Sequence, residues 1–118
     1  EAERPWIGVR GRNLNQEASN AMKLNTTDGF LVMEVSPDGP AQKAGIQGGN
    51  QTIEIRNGEY TIGGDVITRI NGERMRDLED ILNYLAQDAE VGEEIQVTVL
   101  RNGKTIQIPL TLEERPDQ

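Results

Sequence analysis

Apolar positions in this chain gather into short clusters punctuated by glycine, proline and asparagine, and most clusters have the period of strands. The run Gly29-Phe30-Leu31-Val32-Met33-Glu34-Val35 is dense in β-forming residues and predicts a strand buried on both faces, ended by the turn Pro37-Asp38-Gly39-Pro40. Pro40 suits the first turn of a short helix over Pro40–Ala44, closed by Gly45. Further on, Ile95, Val97 and Val99 alternate with Gln96, Thr98 and Leu100, which predicts a hairpin over 94–101 and 104–113 turned by Asn102-Gly103. Pro109 cannot donate to a ladder, so part of the last strand is expected at an edge. Helical spacing occurs twice. Leu78, Ile81, Leu82 and Leu85 fall along one face of a segment over 78–87, with Asp77 as its cap and Asp80 at the capping-box position. A weaker pattern, Ala18, Ala21, Met22 and Leu24, follows Asn15 over 16–24.

Between these elements the chain repeats itself. The segment from Gly48 to Glu59 resembles that from Gly63 to Glu73: a glycine pair, a strand, and an Asn-Gly turn. Local duplication and convergence on the same turn chemistry both account for it, and both make the region β. The expectation is a β-rich fold of the all-β class with some helix: six or more short strands and two or three short helices, arranged as a partly open, barrel-like sheet that the helices plug.

Composition bounds what this fold can do. A length of 118 residues with 35% hydrophobic content suits one domain, and 3% aromatics means an aliphatic core. A net charge of −8 argues against nucleic acid and against an anionic membrane, since both need clustered cations. No apolar run is long enough to cross a bilayer as a helix. The absence of histidine and cysteine removes Ser-His-Asp and Cys-His catalysis and most zinc sites. Carboxylate pairs such as Glu79 with Asp80, and the acidic run 88–94, read as solvated faces. No phosphate-loop or calcium-loop spacing occurs, so no metal or cofactor is expected.

One stretch resists this account. Arg4-Pro5-Trp6-Ile7-Gly8-Val9-Arg10-Gly11-Arg12 holds the only tryptophan and is a strand interrupted by two glycines. Gly8 and Gly11 can be bulges in an ordinary strand. Alternatively, Gly8 lets the backbone close around a guest, so that the N–H groups of Ile7, Gly8 and Val9 form a nest for a carboxylate, and Arg10-Gly11-Arg12 continues as an unpaired edge open to an added strand.

The order of the parts favours the second reading. Trp6-Ile7-Gly8-Val9, Ser36-Pro37 through Ala44-Gly45, and Gly64-Asp65-Val66-Ile67-Thr68-Arg69-Ile70-Asn71-Gly72, followed by the helix and the final hairpin, resemble a PDZ domain of the HtrA/Deg type, which follows a trypsin-like protease domain. The resemblance covers Pro5 to Glu113 and implies a module over 5–113, with residues 1–4 as a linker from an upstream domain and 114–118 as a polar tail. It implies binding of extended peptides or unfolded-protein C-termini. The carboxylate loop would be Trp6, Ile7, Gly8 and Val9, the strand Arg10, Gly11 and Arg12, and the groove-facing helix residues Leu78, Leu82 and Leu85, with Ile81 turned to the core. It also implies a serine endopeptidase as the parent, in the bacterial envelope or periplasm. Its other partners would be its own protease domain in cis and an oligomer formed through the parent; this chain would not cleave anything itself. The departure is an extra β-hairpin over 50–62, where the family runs almost directly into the Gly-Asp strand. The competing reading is a structural module docked on its protease domain or a neighbouring subunit, with the groove closed by that hairpin.

Overall fold

The computed structural model describes residues 4–56 and 58–116. The expected linker over 1–4 and tail over 114–118 therefore lie partly outside the described residues, and Asn57, which falls within the expected hairpin over 50–62, lies outside them. The chain runs β1 (Pro5–Trp6), β2 (Val9–Asn13), α1 (Gln16–Ala21), β3 (Phe30–Val35), α2 (Pro40–Ala44), β4 (Gln51–Ile55), β5 (Gly58–Ile62), β6 (Val66–Ile70), β7 (Glu73–Arg74), α3 (Leu78–Asp88), β8 (Glu94–Arg101), β9 (Lys104–Thr111) and β10 (Glu113–Glu114).

The main sheet has the order β2-β3-β6-β8-β9, all antiparallel, with β7 paired to β6. It stays open, with β2 at one end and β9, carrying Pro109, at the other. Strands β4 and β5 form the inserted hairpin as a sheet of their own, and β1 pairs with β10. That last pairing carries order beyond Glu113: Glu114 lies opposite Pro5, and the Arg115 N–H donates to the Arg4 carbonyl at 2.9 Å.

The period of two in β3 divides the interior. Phe30 and Val32 enter a main core with Ile67, Ile70, Ile95, Val97 and Val99, over which α3 lays Ile81, Tyr84 and Leu85. Leu31 faces the other way, into a second core with Leu14, Ala18, Tyr60, Ile62 and Val66, covered by α1 and the hairpin. The sheet is thus buried on both faces, as the apolar density of β3 predicts.

Helix boundaries follow cap chemistry. Asp77 accepts the Asp80 N–H at 2.9 Å and starts α3. Asp80 reaches back to the Arg76 N–H, one residue upstream of the capping-box partner. Helix α1 stops at Ala21, three residues short of expectation, because Lys23 takes a left-handed φ of 59° that ends the helical ladder. The glycine-pair segments diverge in fate. Asp65 is buried and holds the Arg101 guanidinium at 2.7 and 2.9 Å while accepting the Gln47 N–H, which raises the Arg101 pKa through the hydrogen bond. Asn50, its counterpart in the repeat, is exposed.

Candidate functional site

The interrupted strand is two strands joined by a turn at Ile7-Gly8. Gly8 has φ +85°, a conformation that favours glycine, and a Cβ there would lie 3.2 Å from Pro40 Cδ, a tight contact, with the Trp6 ring at 3.5 Å. The turn is held from behind by the Ser36–Gly45 stretch. The Ala41 N–H, one of the first-turn donors of α2 that has no partner within the helix, donates to the Ile7 carbonyl at 2.9 Å. The Ser36 N–H donates to the Gly8 carbonyl at 2.9 Å. This explains why the two sequence motifs occur together: one builds the buttress of the other.

These two bonds fix where the loop's donors point. A trans peptide holds its C=O and N–H on opposite sides, and no cis bond is present among the described residues. Tying the Ile7 carbonyl to α2 turns the Gly8 N–H away from it. Tying the Gly8 carbonyl to Ser36 turns the Val9 N–H away from β3, toward the unpaired edge of β2. Among the described residues, the N–H groups of Ile7 and Gly8 have no acceptor.

The loop opens on a cleft of about 420 Å³. Trp6, Ile7, Gly8 and Val9 form one wall and Leu78, Leu82 and Leu85 of α3 the other, so all seven predicted loop and helix residues meet there. Ile81 is buried in the main core, as expected, and also contributes to the cleft. Leu78 and Leu82 are 38% and 53% exposed, and both stand on this rim. Arg10, Gly11 and Arg12 do not line the cleft; they belong to the outer strand beyond it. At Gly11 a Cβ would lie 1.8 Å from the Leu31 carbonyl oxygen, beside a bulge in which β3 carries Met33 as an extra residue. Gly11 therefore serves close contact with β3.

Sequence reasoning missed several cleft residues. Phe30 comes from β3, and Ala86 and Ala89 extend the α3 wall. Arg115 joins Arg4 at the cleft because β10 pairs with β1, and among the described residues neither arginine has an ion-pair partner. Asn13 was also missed: its side-chain oxygen accepts the Leu78 N–H at 2.7 Å, tying the far end of β2 to the start of α3. None of the described residues of the inserted hairpin lines the cleft.

An antiparallel sheet with a free outer strand, a buttressed glycine turn and an apolar helix facing it defines a PDZ-like architecture. The PDZ domain family profile matches residues 5–112, and the chain belongs to that family. It is 30% identical over 117 residues, 99% of its length, to a probable periplasmic DegP-like serine endoprotease of Marinomonas sp. (strain MWYL1), of which it covers 22%. It is 26% identical over 113 residues, 96% of its length, to the periplasmic pH-dependent serine endoprotease DegQ of Escherichia coli (strain K12), covering 21% of that protein. The chain thus spans about a fifth of the curated relatives it matches. Among solved structures, the HtrA-type protease AlgW with a decapeptide superimposes with a TM-score of 0.74 at 28% identity, over 98% of this chain and 31% of that one. The HtrA3 PDZ domain bound to a phage-derived ligand shares the fold, with a TM-score of 0.68 at 21% identity over 93% of this chain and 86% of that one.

Proposed function

We propose that this domain captures the C-terminal end of an extended peptide, adding it as a strand to the free edge of β2 within a longer HtrA/Deg-type serine protease of the periplasm. The terminal carboxylate takes the N–H groups of the Ile7–Val9 turn, and the terminal side chain enters the apolar cleft. The observation that carries this reading is the pairing of opposites across one cleft: outward N–H groups on the loop, and the exposed Leu78 and Leu82 on the helix. Large apolar side chains left in water beside unsatisfied donors suit a ligand with an apolar body and an anionic end. Several backbone hydrogen bonds at about 0.5–1.5 kcal/mol each, and one apolar anchor at about 1.5–3 kcal/mol, give affinities on the order of micromolar after ordering costs. Proteolysis belongs to another domain of the parent, to which this one presents substrates or transmits occupancy; this chain, without histidine or cysteine, brings no triad of its own.

Leu82→Lys tests the helix wall. The residue is half in solvent, so the fold should survive, and a charge in the cleft should reduce peptide affinity at least tenfold, read by titration against the tryptophan signal of Trp6. Unchanged affinity would remove α3 from the site.

A further inference from the structure

The free edge of β2 has a definite length, and Asn13 sets where it ends. Backbone groups along β2 alternate between β3 and the open side. With the Gly8 carbonyl tied to Ser36, Val9 turns its N–H outward. At the other end of the strand the Leu14 N–H donates to the Gly29 carbonyl at 2.9 Å. The Asn13 carbonyl belongs to that same trans peptide and therefore also points away from β3. By alternation, Val9, Gly11 and Asn13 are the residues of β2 whose backbone faces the open edge.

Asn13 is gripped from both faces of the sheet. From the hairpin face, the Tyr60 hydroxyl donates to the Asn13 carbonyl at 3.3 Å. The Asn15 side-chain amide donates to that same hydroxyl at 3.2 Å, so the hydroxyl proton is left for Asn13. Tyr60 is buried in the second core, which fixes where its hydroxyl stands. From the cleft face, the Asn13 side-chain oxygen accepts the Leu78 N–H at 2.7 Å, a first-turn donor of α3 with no partner inside the helix. One asparagine side chain thus spans from strand to helix at this end, whereas at the loop end the space between β2 and α3 opens into the cleft. A peptide whose terminal residue lies opposite Val9 runs antiparallel to β2, so its third residue from the end faces Gly11 and its fifth faces Asn13. There the carbonyl that the fifth N–H needs already holds Tyr60, and the added strand meets the bridge to Leu78.

We propose that Tyr60 and Leu78 make Asn13 a stop for strand addition, so that the ladder between peptide and β2 ends before the fifth residue from the peptide's C-terminus. This rests on the groove reading above and adds to it a ligand class, short free tails read over their last four residues, and a function for the extra hairpin as part of the groove's far wall.

The test uses free-carboxylate peptides of one sequence in which a single amide is replaced by an ester, which removes one N–H donor without adding bulk, titrated on the domain by Trp6 fluorescence. The ester at the third residue from the end should weaken binding by about three- to tenfold, and the ester at the fifth by less than about 1.5-fold. Lengthening the all-amide peptide from four residues to ten should change affinity by less than about twofold. Tyr60→Phe removes only the hydroxyl and keeps the ring in the second core. Compared within that variant, the ester at the fifth residue should now cost about two- to fivefold, because the Asn13 carbonyl is free to accept. In the wild-type domain, a fifth-residue ester that costs as much as the third, or affinity that climbs steadily with length, overturns the proposal while sparing the groove reading; these two arms decide even if Tyr60→Phe does not fold. A fifth-residue ester without effect in both wild type and Tyr60→Phe overturns the part given to Tyr60. A third-residue ester without effect, or failure of every peptide to bind, contradicts the groove reading and this proposal together.

Discussion

The two faces of the main sheet are finished differently. On one, α1 and the inserted hairpin close over Leu31 and Val66, so that Tyr60 and Ile62 are buried with them. On the other, α3 packs its Ile81, Tyr84 and Leu85 onto the core yet stands away from β2, leaving Leu78 and Leu82 exposed along a cleft of about 420 Å³. The same apolar residue types thus serve stability on the hairpin face and remain available on the cleft face. Free energy left unused in folding, as exposed apolar area and outward N–H groups, is what a ligand can draw on.

The strongest way to break this contrast is to truncate one leucine on each face. Leu31→Ala, from a fully buried position, should cost about 2–5 kcal/mol in denaturant unfolding. Leu82→Ala should change stability by no more than about 0.5 kcal/mol while weakening peptide binding several-fold. Equal stability losses would mean that Leu82 is an ordinary core residue.

Gly8→Ala probes the joint between the faces, where the loop rests on α2. A methyl at φ +85°, 3.2 Å from Pro40 Cδ, should cost about 1–2 kcal/mol and weaken binding further by turning the loop's N–H groups. Wild-type affinity in this variant would detach the loop from recognition.

The smallest effect concerns how α3 is anchored at the cleft. Asp80 accepts hydrogen bonds from the Arg76 side chain and from its backbone N–H, which hold its pKa below the usual carboxylate value. A depressed folded-state pKa contributes stability above the unfolded value of about 3.9, and that contribution is lost as pH falls through the folded value. Asp80→Asn should therefore lie below wild type in thermal midpoint near neutral pH and converge with it in acid. The gap should be small because the pair is exposed, and a gap that widens in acid would contradict the sign.

Most of the fold was legible because local signals agreed with tertiary ones. Asp77 and the apolar spacing after it mark α3, Asn102-Gly103 marks the β8–β9 hairpin, and Pro40 with Gly45 brackets α2. The turn at Gly8 was legible only as one of two readings, since a bulge in an ordinary strand also accommodates glycine, and it was the order of the motifs that favoured the turn. Arg115 and Asn13 were not, because their roles arise from pairings over long sequence separations: β10 with β1, and the end of β2 with the start of α3. The two glycines that interrupt the first strand look alike in sequence. Only packing separates them, with Gly8 favoured by its conformation and Gly11 required by the Leu31 carbonyl on β3. The hairpin's side of the sheet was equally unreadable, since a two-stranded insert gives no sign of which face it covers.

Under the proposed function, the Ile7–Val9 turn takes a terminal carboxylate through backbone N–H groups. The most direct measurement is a Trp6 fluorescence titration of one peptide as its free acid and as its C-terminal amide. Micromolar binding of the acid and a loss of at least tenfold for the amide is the predicted result. Equal affinities for the two would contradict it.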